Sequence, residues 1–129
     1  MRSGRRHVSE DGAPAAGIHH LLLQTIDLQA AEDFYLRFLG FTVRKREAFH
    51  DGRPLTVTNQ GLGLTSGAPG GTGAVEHIAF RTTDVLGIAE RARVQGITVL
   101  KEPGPGPYGL TVYLADPDGN RIELFEPAD

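Results

Sequence analysis

Apolar positions along this chain recur in two rhythms, and the order in which those rhythms alternate is itself repeated. Residues 18–24 alternate in the period of a half-buried strand. Ala31, Phe34, Tyr35, Phe38 and Leu39 then fall at i, i+3, i+4, i+7 and i+8, which places them along one face of a helix. Asp27 precedes that helix as an N-cap, since its carboxylate can accept from N–H groups that have no partner in the first turn. Gly40 suits the left-handed close. Residues 41–47, 55–59 and 62–65 read as three more strands, with turn chemistry in His50-Asp51-Gly52-Arg53-Pro54. The predicted order is β-α-β-β-β.

The order then begins again. His20-Leu21-Leu22-Leu23-Gln24-Thr25-Ile26-Asp27 returns as His77-Ile78-Ala79-Phe80-Arg81-Thr82-Thr83-Asp84, with histidine and aspartate both displaced by 57 positions. A strand is expected over 75–81, and a helix capped by Asp84 that buries Val85, Ile88, Ala89 and Ala92 and closes at Gly96. A short strand over 97–100 leads into Pro103-Gly104-Pro105-Gly106-Pro107, read as a loop unable to continue a sheet. The last two strands, 110–115 and 121–125, flank the hairpin turn Asp116-Pro117-Asp118-Gly119-Asn120. The resulting expectation is α+β: an aperiodic leader over 1–16, a first module over 17–66, a Gly/Pro linker over 67–73 and a second module over 74–129.

Alternation also assigns faces. Leu21 and Leu23 oppose His20 and Leu22; Ile78 and Phe80 oppose His77 and Ala79; Ile122 and Leu124 oppose Glu123; Val112 and Leu114 oppose Tyr113. If helices cover the Leu, Ile and Phe faces, His20, His77, Glu123 and Tyr113 share the uncovered, concave side.

Composition narrows the chemistry. The chain has 129 residues, 40% hydrophobic and 22% charged, with a formal net charge of -3, ordinary for a globular protein and giving no basic face for nucleic acid outside the leader. It has no cysteine, so thiolate catalysis and thiolate metal sites are excluded and any metal takes nitrogen and oxygen ligands. No apolar run approaches a membrane span, and the arginines of the leader are not followed by the apolar stretch of a secretion signal. A cytoplasmic location is the expectation, with neither nucleic acid nor membrane as partner.

Two histidines and one carboxylate on three strands make a facial set that leaves positions open on Fe2+, Mn2+, Ni2+, Co2+ or Zn2+. The competing reading of each alone is an ordinary rim histidine or a solvated strand glutamate. Tyr113 is either a hydrogen-bond donor or acid, or an aromatic wall. Arg81, on the His77 face, suits a substrate carboxylate or phosphate, or else a surface ion pair. Lys101 and Glu102 border the Gly-Pro loop, read as a lid or a plain connector.

Ile18-His19-His20-Leu21, Asp27-Leu28, Phe34-Tyr35, Leu39-Gly40-Phe41, Glu76-His77-Ile78-Ala79-Phe80 and Asp116-Pro117-Asp118-Gly119-Asn120-Arg121-Ile122-Glu123-Leu124 together resemble the vicinal oxygen chelate superfamily. That group includes glyoxalase I, extradiol dioxygenases, methylmalonyl-CoA epimerase and the fosfomycin and bleomycin resistance proteins. The resemblance implies a glyoxalase-like fold, two modules forming a cupped mixed sheet around one divalent metal ion. It implies His20, His77 and Glu123 as ligands, the seven-residue step to Asp27 selecting His20 over His19. His19 falls on the opposite face as packing or surface, and His7 and His50 receive no role. Glyoxalase I has a fourth ligand, a glutamate near the end of its first module. Gly63 stands at that position here, and Gln60 is close to it but out of register.

Two enzymatic readings are compatible with this set. One is a glyoxalase-like lyase or isomerase step with Glu123 as base; the other is a small extradiol-type dioxygenase. In both, the substrate is a small oxygen-chelating molecule. The alternative is a non-catalytic antibiotic-binding protein of the bleomycin-resistance type, whose members lack the ligand set retained here. The resemblance also implies a homodimer, with the metal site held within one chain or shared between two.

Overall fold

In a computed structural model the structure describes residues 16–67 and 75–128. Most of the leader and most of the linker expected from the sequence lie outside the described residues. The elements are β1 (Leu21–Thr25), α1 (Leu28–Glu32) running on into a π-helical segment (Asp33–Phe38), β2 (Val43–Ala48), β3 (Pro54–Thr58) and β4 (Leu62–Ser66). They repeat as β5 (Ile78–Arg81), α2 (Val85–Gln95), β6 (Val99–Gly106), β7 (Gly109–Ala115) and β8 (Arg121–Pro127). Each set forms a four-stranded mixed sheet with the same connectivity, β1-β4-β3-β2 and β5-β8-β7-β6. The first strand of each set lies parallel to the last, β1 beside β4 and β5 beside β8.

Local chemistry accounts for the element ends. Asp27 accepts from the Ala30 N–H at 3.1 Å and Asp84 from the Gly87 N–H at 2.9 Å, so both repeated aspartates cap their helices. Gly96 closes α2 at φ 74°, a left-handed conformation that glycine adopts without steric cost. The first helix widens after Glu32: the Leu39 N–H reaches Phe34 O, five residues back, at 3.0 Å. Adjacent Phe34 and Tyr35 are both buried there.

The core lies between the helices and the apolar faces of the sheets. Val112, Leu114 and Ile122 are completely buried and Leu124 nearly so, beside Val85, Ile88, Ala89 and Ala92 of α2. Each buried Val, Leu or Ile side chain among these stabilises the fold by about 1.5–3 kcal/mol. The two sets are joined by Tyr35 OH, which donates to Asp116 Oδ2 at 2.6 Å, by Ile26 N–H donating to Asp118 Oδ1 at 3.1 Å, and by Phe41 edge-on to Phe80 at 5.0 Å. Asp116 also accepts from the backbone N–H of Asp118 and Asn120, which shapes the β7–β8 turn.

One expectation is corrected. The Pro-Gly segment is neither lid nor connector, because β6 runs through it to Gly106 and pairs with β7. β6 is an edge strand, where a residue without an N–H is tolerated, and the ladder shifts register between Lys101 and Gly104 to accommodate the prolines.

Candidate functional site

The concave faces carry the chemistry. In the second sheet Glu123 of β8 sits between Ala79 of β5 and Tyr113 of β7 in register. Its neighbours Ile122 and Leu124 point into the core, so the pleat drives this carboxylate to the other side. It stays only 5% exposed and is held there by hydrogen bonds. Thr111 Oγ1 donates to Oε2 at 2.7 Å and Tyr113 OH donates to Oε1 at 3.2 Å. His77 Nε2 lies 3.2 Å from the same Oε1, and its ring meets Tyr113 edge-on at 5.5 Å between centroids.

A second carboxylate stands behind the histidine. Glu76 Oε1 is 2.5 Å from His77 Nδ1, and Glu76 Oε2 is 3.5 Å from Arg121 Nη1. Arg121 in turn lies 5.1 Å over the Tyr113 ring, so the cluster closes on itself. The hydrogen bond from His77 holds the Glu76 carboxyl below the usual carboxylate range, against an opposing desolvation and with the Arg121 charge adding to the lowering. Burial, and then the Glu123 charge and hydrogen bond, push the Tyr113 hydroxyl up, so it remains a donor.

These donors suit a cation. With the Nδ1–H given to Glu76, His77 Nε2 presents a lone pair to a carboxylate oxygen, and two acceptors face each other. A proton or a metal ion between them relieves the repulsion. Two ligand atoms each ~2.1 Å from one ion stand roughly 3.0–3.4 Å apart, close to the spacing seen here. The 3.2 Å between His77 Nε2 and Glu123 Oε1 is a hydrogen-bond separation and also falls within that range.

His20 is elsewhere. It lines a cavity of about 370 Å3 in the first cup, together with Leu22, Phe49 and Val57. Among the described residues of one chain, no three His, Asp or Glu side chains converge as a metal group. The structure thus brings together His77, Glu123 and Tyr113 and keeps His20 of the same chain apart from them. Arg81 is exposed and lines a second cavity of about 380 Å3 with Ala79, Phe125 and Phe41.

His19 is corrected. Expected on the opposite face, it lines the same cavity as His20, and the two Nδ1 atoms are 2.9 Å apart. Alternation fails because β1 begins only at Leu21. The same holds at Glu76, which precedes β5. In both modules, then, the residue before the repeated histidine touches its Nδ1.

Thr111, Glu76 and Arg121 were missed by sequence reasoning. Thr111 was reachable, since it lies two residues from Tyr113 on one strand and so shares its face. Arg121 was reachable in the same way, two residues from Glu123 on β8, whereas Glu76, ahead of β5, carried no such signal. Register also locates the departure at Gly63: it pairs with Leu22, two residues past His20, as Glu123 pairs with Ala79, two residues past His77. Gln60 instead accepts from the Thr42 N–H at 3.0 Å, outside that row.

Comparison with known proteins agrees with this architecture. The pattern of the Glyoxalase/Bleomycin resistance protein/Dioxygenase superfamily matches residues 17–124. A lactoylglutathione lyase of Neisseria meningitidis serogroup A is 31% identical over 122 residues, covering 83% of this chain and 88% of that protein. Among solved structures, glyoxalase I of Leishmania major superposes with a TM-score of 0.73 at 22% identity, covering 87% of each chain. An antibiotic binding protein from Streptomyces sp. CB03234 does so with 0.70 at 23%, covering 91% of this chain and all of that one. These two likenesses speak for the fold alone. By the extent of the sequence match, by the repeated β-α-β-β-β architecture and by the placement of its polar cluster, the chain belongs to the Glyoxalase/Bleomycin resistance protein/Dioxygenase superfamily.

Proposed function

We propose that this protein is a divalent-metal-dependent, glyoxalase-like lyase or isomerase acting on a small molecule that presents adjacent oxygens. The observation that carries the reading is the approach of His77 Nε2 to Glu123 Oε1 at 3.2 Å, with each group braced from behind by Glu76 and Thr111. The kinship with lactoylglutathione lyases favours this reaction class. His77 and Glu123 would hold the metal with His20 as third ligand. A bound divalent ion polarises a substrate oxygen and eases loss of a neighbouring proton. Glu123, on loosening from the ion, would take up and return that proton, and Tyr113 OH, hydrogen-bonded to its Oε1, would steady its charge. Arg81 at the end of the same concave face suits an anionic part of the substrate.

Because His20 and the His77–Glu123 pair occupy different cups of one chain, the complete set is proposed to form between two copies, the first cup of one facing the second cup of the other. Metal analysis of protein purified without added metal, native and His77→Ala, is the first test. Stoichiometric metal in the native protein, lost in the variant, together with lactoylglutathione formation from the methylglyoxal–glutathione adduct, supports the reading. A metal-free native protein that binds an antibiotic replaces it with sequestration; bound iron with oxygen uptake on catechols replaces it with ring oxygenation. Mixing His20→Ala and His77→Ala protomers tests the sharing. If the site is shared, one intact site forms per heterodimer and about a quarter of native metal content returns. If it is not, none returns.

A further inference from the structure

Aligning the two sheets by register shows how differently their cups are furnished. Across the second runs the row Ala79–Glu123–Tyr113–Lys101, and across the first the row Leu22–Gly63–Val57–Lys45. The hydrogen-bonding positions of the second cup are apolar or empty in the first. Leu22, Leu55, Val57 and Phe49 surround Gly63 in a cavity of about 370 Å3, within the range that holds small ligands. A side chain at Gly63 would enter that space: its Cβ would stand 3.1 Å from Leu22 Cδ1.

The rim differs too. Between Val43 and Lys45 the β2–β3 ladder shifts by one residue, so Arg44 sits in a bulge. Simple alternation would put Arg44 with Arg46, which reaches Glu32 away from the cup at 2.9 Å. The bulge instead leaves Arg44 and Lys45 both lining the cavity. Lys45 is paired with Glu47 at 3.4 Å, whereas no carboxylate among the described residues lies within ion-pair distance of Arg44. The second sheet has the same bulge between Val99 and Lys101, and the residue there is Leu100. A shared backbone device thus presents a guanidinium to one cup only.

We infer that the first cup binds a carboxylate-bearing ligand with an apolar body, the body over Gly63 and the carboxylate on the Arg44 fork. Arginine suits this task because its planar donors match both carboxylate oxygens. The inference deepens the proposed function by naming the substrate class, and its test does not depend on metal.

Binding of 2-naphthoate and of its neutral analogue 2-naphthamide is measured by calorimetry in chelator. Native protein is expected to bind the acid about tenfold more tightly than the amide. Arg44→Gln brings the acid to the level of the amide and leaves the amide unchanged; Arg46→Gln, on the other face, changes neither. Equal affinities in the native protein, no binding of either probe, or an acid preference that survives Arg44→Gln each overturns the subsite. Since no metal is present, loss of the metal reading leaves this result standing, and failure here leaves the metal reading intact.

Discussion

Thr111→Val isolates the support beneath Glu123. Valine keeps the branched shape of threonine, so no cavity opens, and only the hydroxyl is lost. That hydroxyl donates to Glu123 Oε2 at 2.7 Å and shares a weaker bond with Leu124 O at 3.2 Å, in a site where Thr111 is 3% and Glu123 5% exposed. A buried acceptor left without its donor costs about 1–3 kcal/mol. For a chain of this size each kcal/mol shifts Tm by roughly 3–6 °C, so the metal-free variant melts roughly 3–18 °C below the native protein. The second effect is on the metal. Loss of a supporting hydrogen bond behind a ligand typically weakens binding about 10–100-fold. At a metal concentration a hundred times the native Kd, the native protein gains about 2.7 kcal/mol, whereas the variant gains only about 0.4–1.4 kcal/mol. Thermal melts with and without metal read both numbers from one preparation. A variant that melts lower without metal yet shows the full native rise when metal is added would refute the idea that Thr111 orients Glu123 for a cation.

Other substitutions probe the rest of the cluster and the fold. Glu76→Ala frees His77 Nδ1 from a 2.5 Å contact and is expected to weaken metal binding about tenfold, the low end for an exposed partner, while Glu76→Gln retains an acceptor and recovers most of the affinity. Chelator competition measures this, and imidazole nitrogen shifts report the tautomer. Tyr35→Phe removes the 2.6 Å bond to buried Asp116 and should cost about 1.5–3 kcal/mol in urea unfolding, since that bond ties the two β-α-β-β-β sets together. Asp84→Ala deletes the cap on Gly87 N–H and should cost about 0.5–2 kcal/mol by the same measurement, with the metal-induced rise unaltered. Gly63→Glu places a carboxylate at the counterpart of Glu123; it should tighten metal binding, and unchanged affinity would show that this position does not face the ion.

Much of this molecule is legible in local pattern. The helix faces, both aspartate caps, the closing Gly96 and the opposition of Ile122 and Leu124 to Glu123 all follow from periodicity and side-chain chemistry, which act over a few residues. Reading failed where a residue's direction depends on something not local. His19 and Glu76 lie two residues ahead of the first residues of β1 and β5, too far from the ladder for alternation to govern them. The Pro-Gly run of β6 is strand only because that edge of the sheet needs no donors from it. Arg44 reaches the cavity only through a bulge.

The division has a physical cause. The amino-acid order alone determined that two like modules would form, which faces would be buried, and that His77, Glu123 and Tyr113 would share one side of a sheet. Tertiary structure decided which of those groups meet. Distances such as the 3.2 Å between His77 and Glu123, the brace from Thr111, and the separation of His20 into another cup arise from strand register and the docking of two sheets. Contacts between residues far apart along the chain are set by the packing of whole elements, which no short window of sequence encodes.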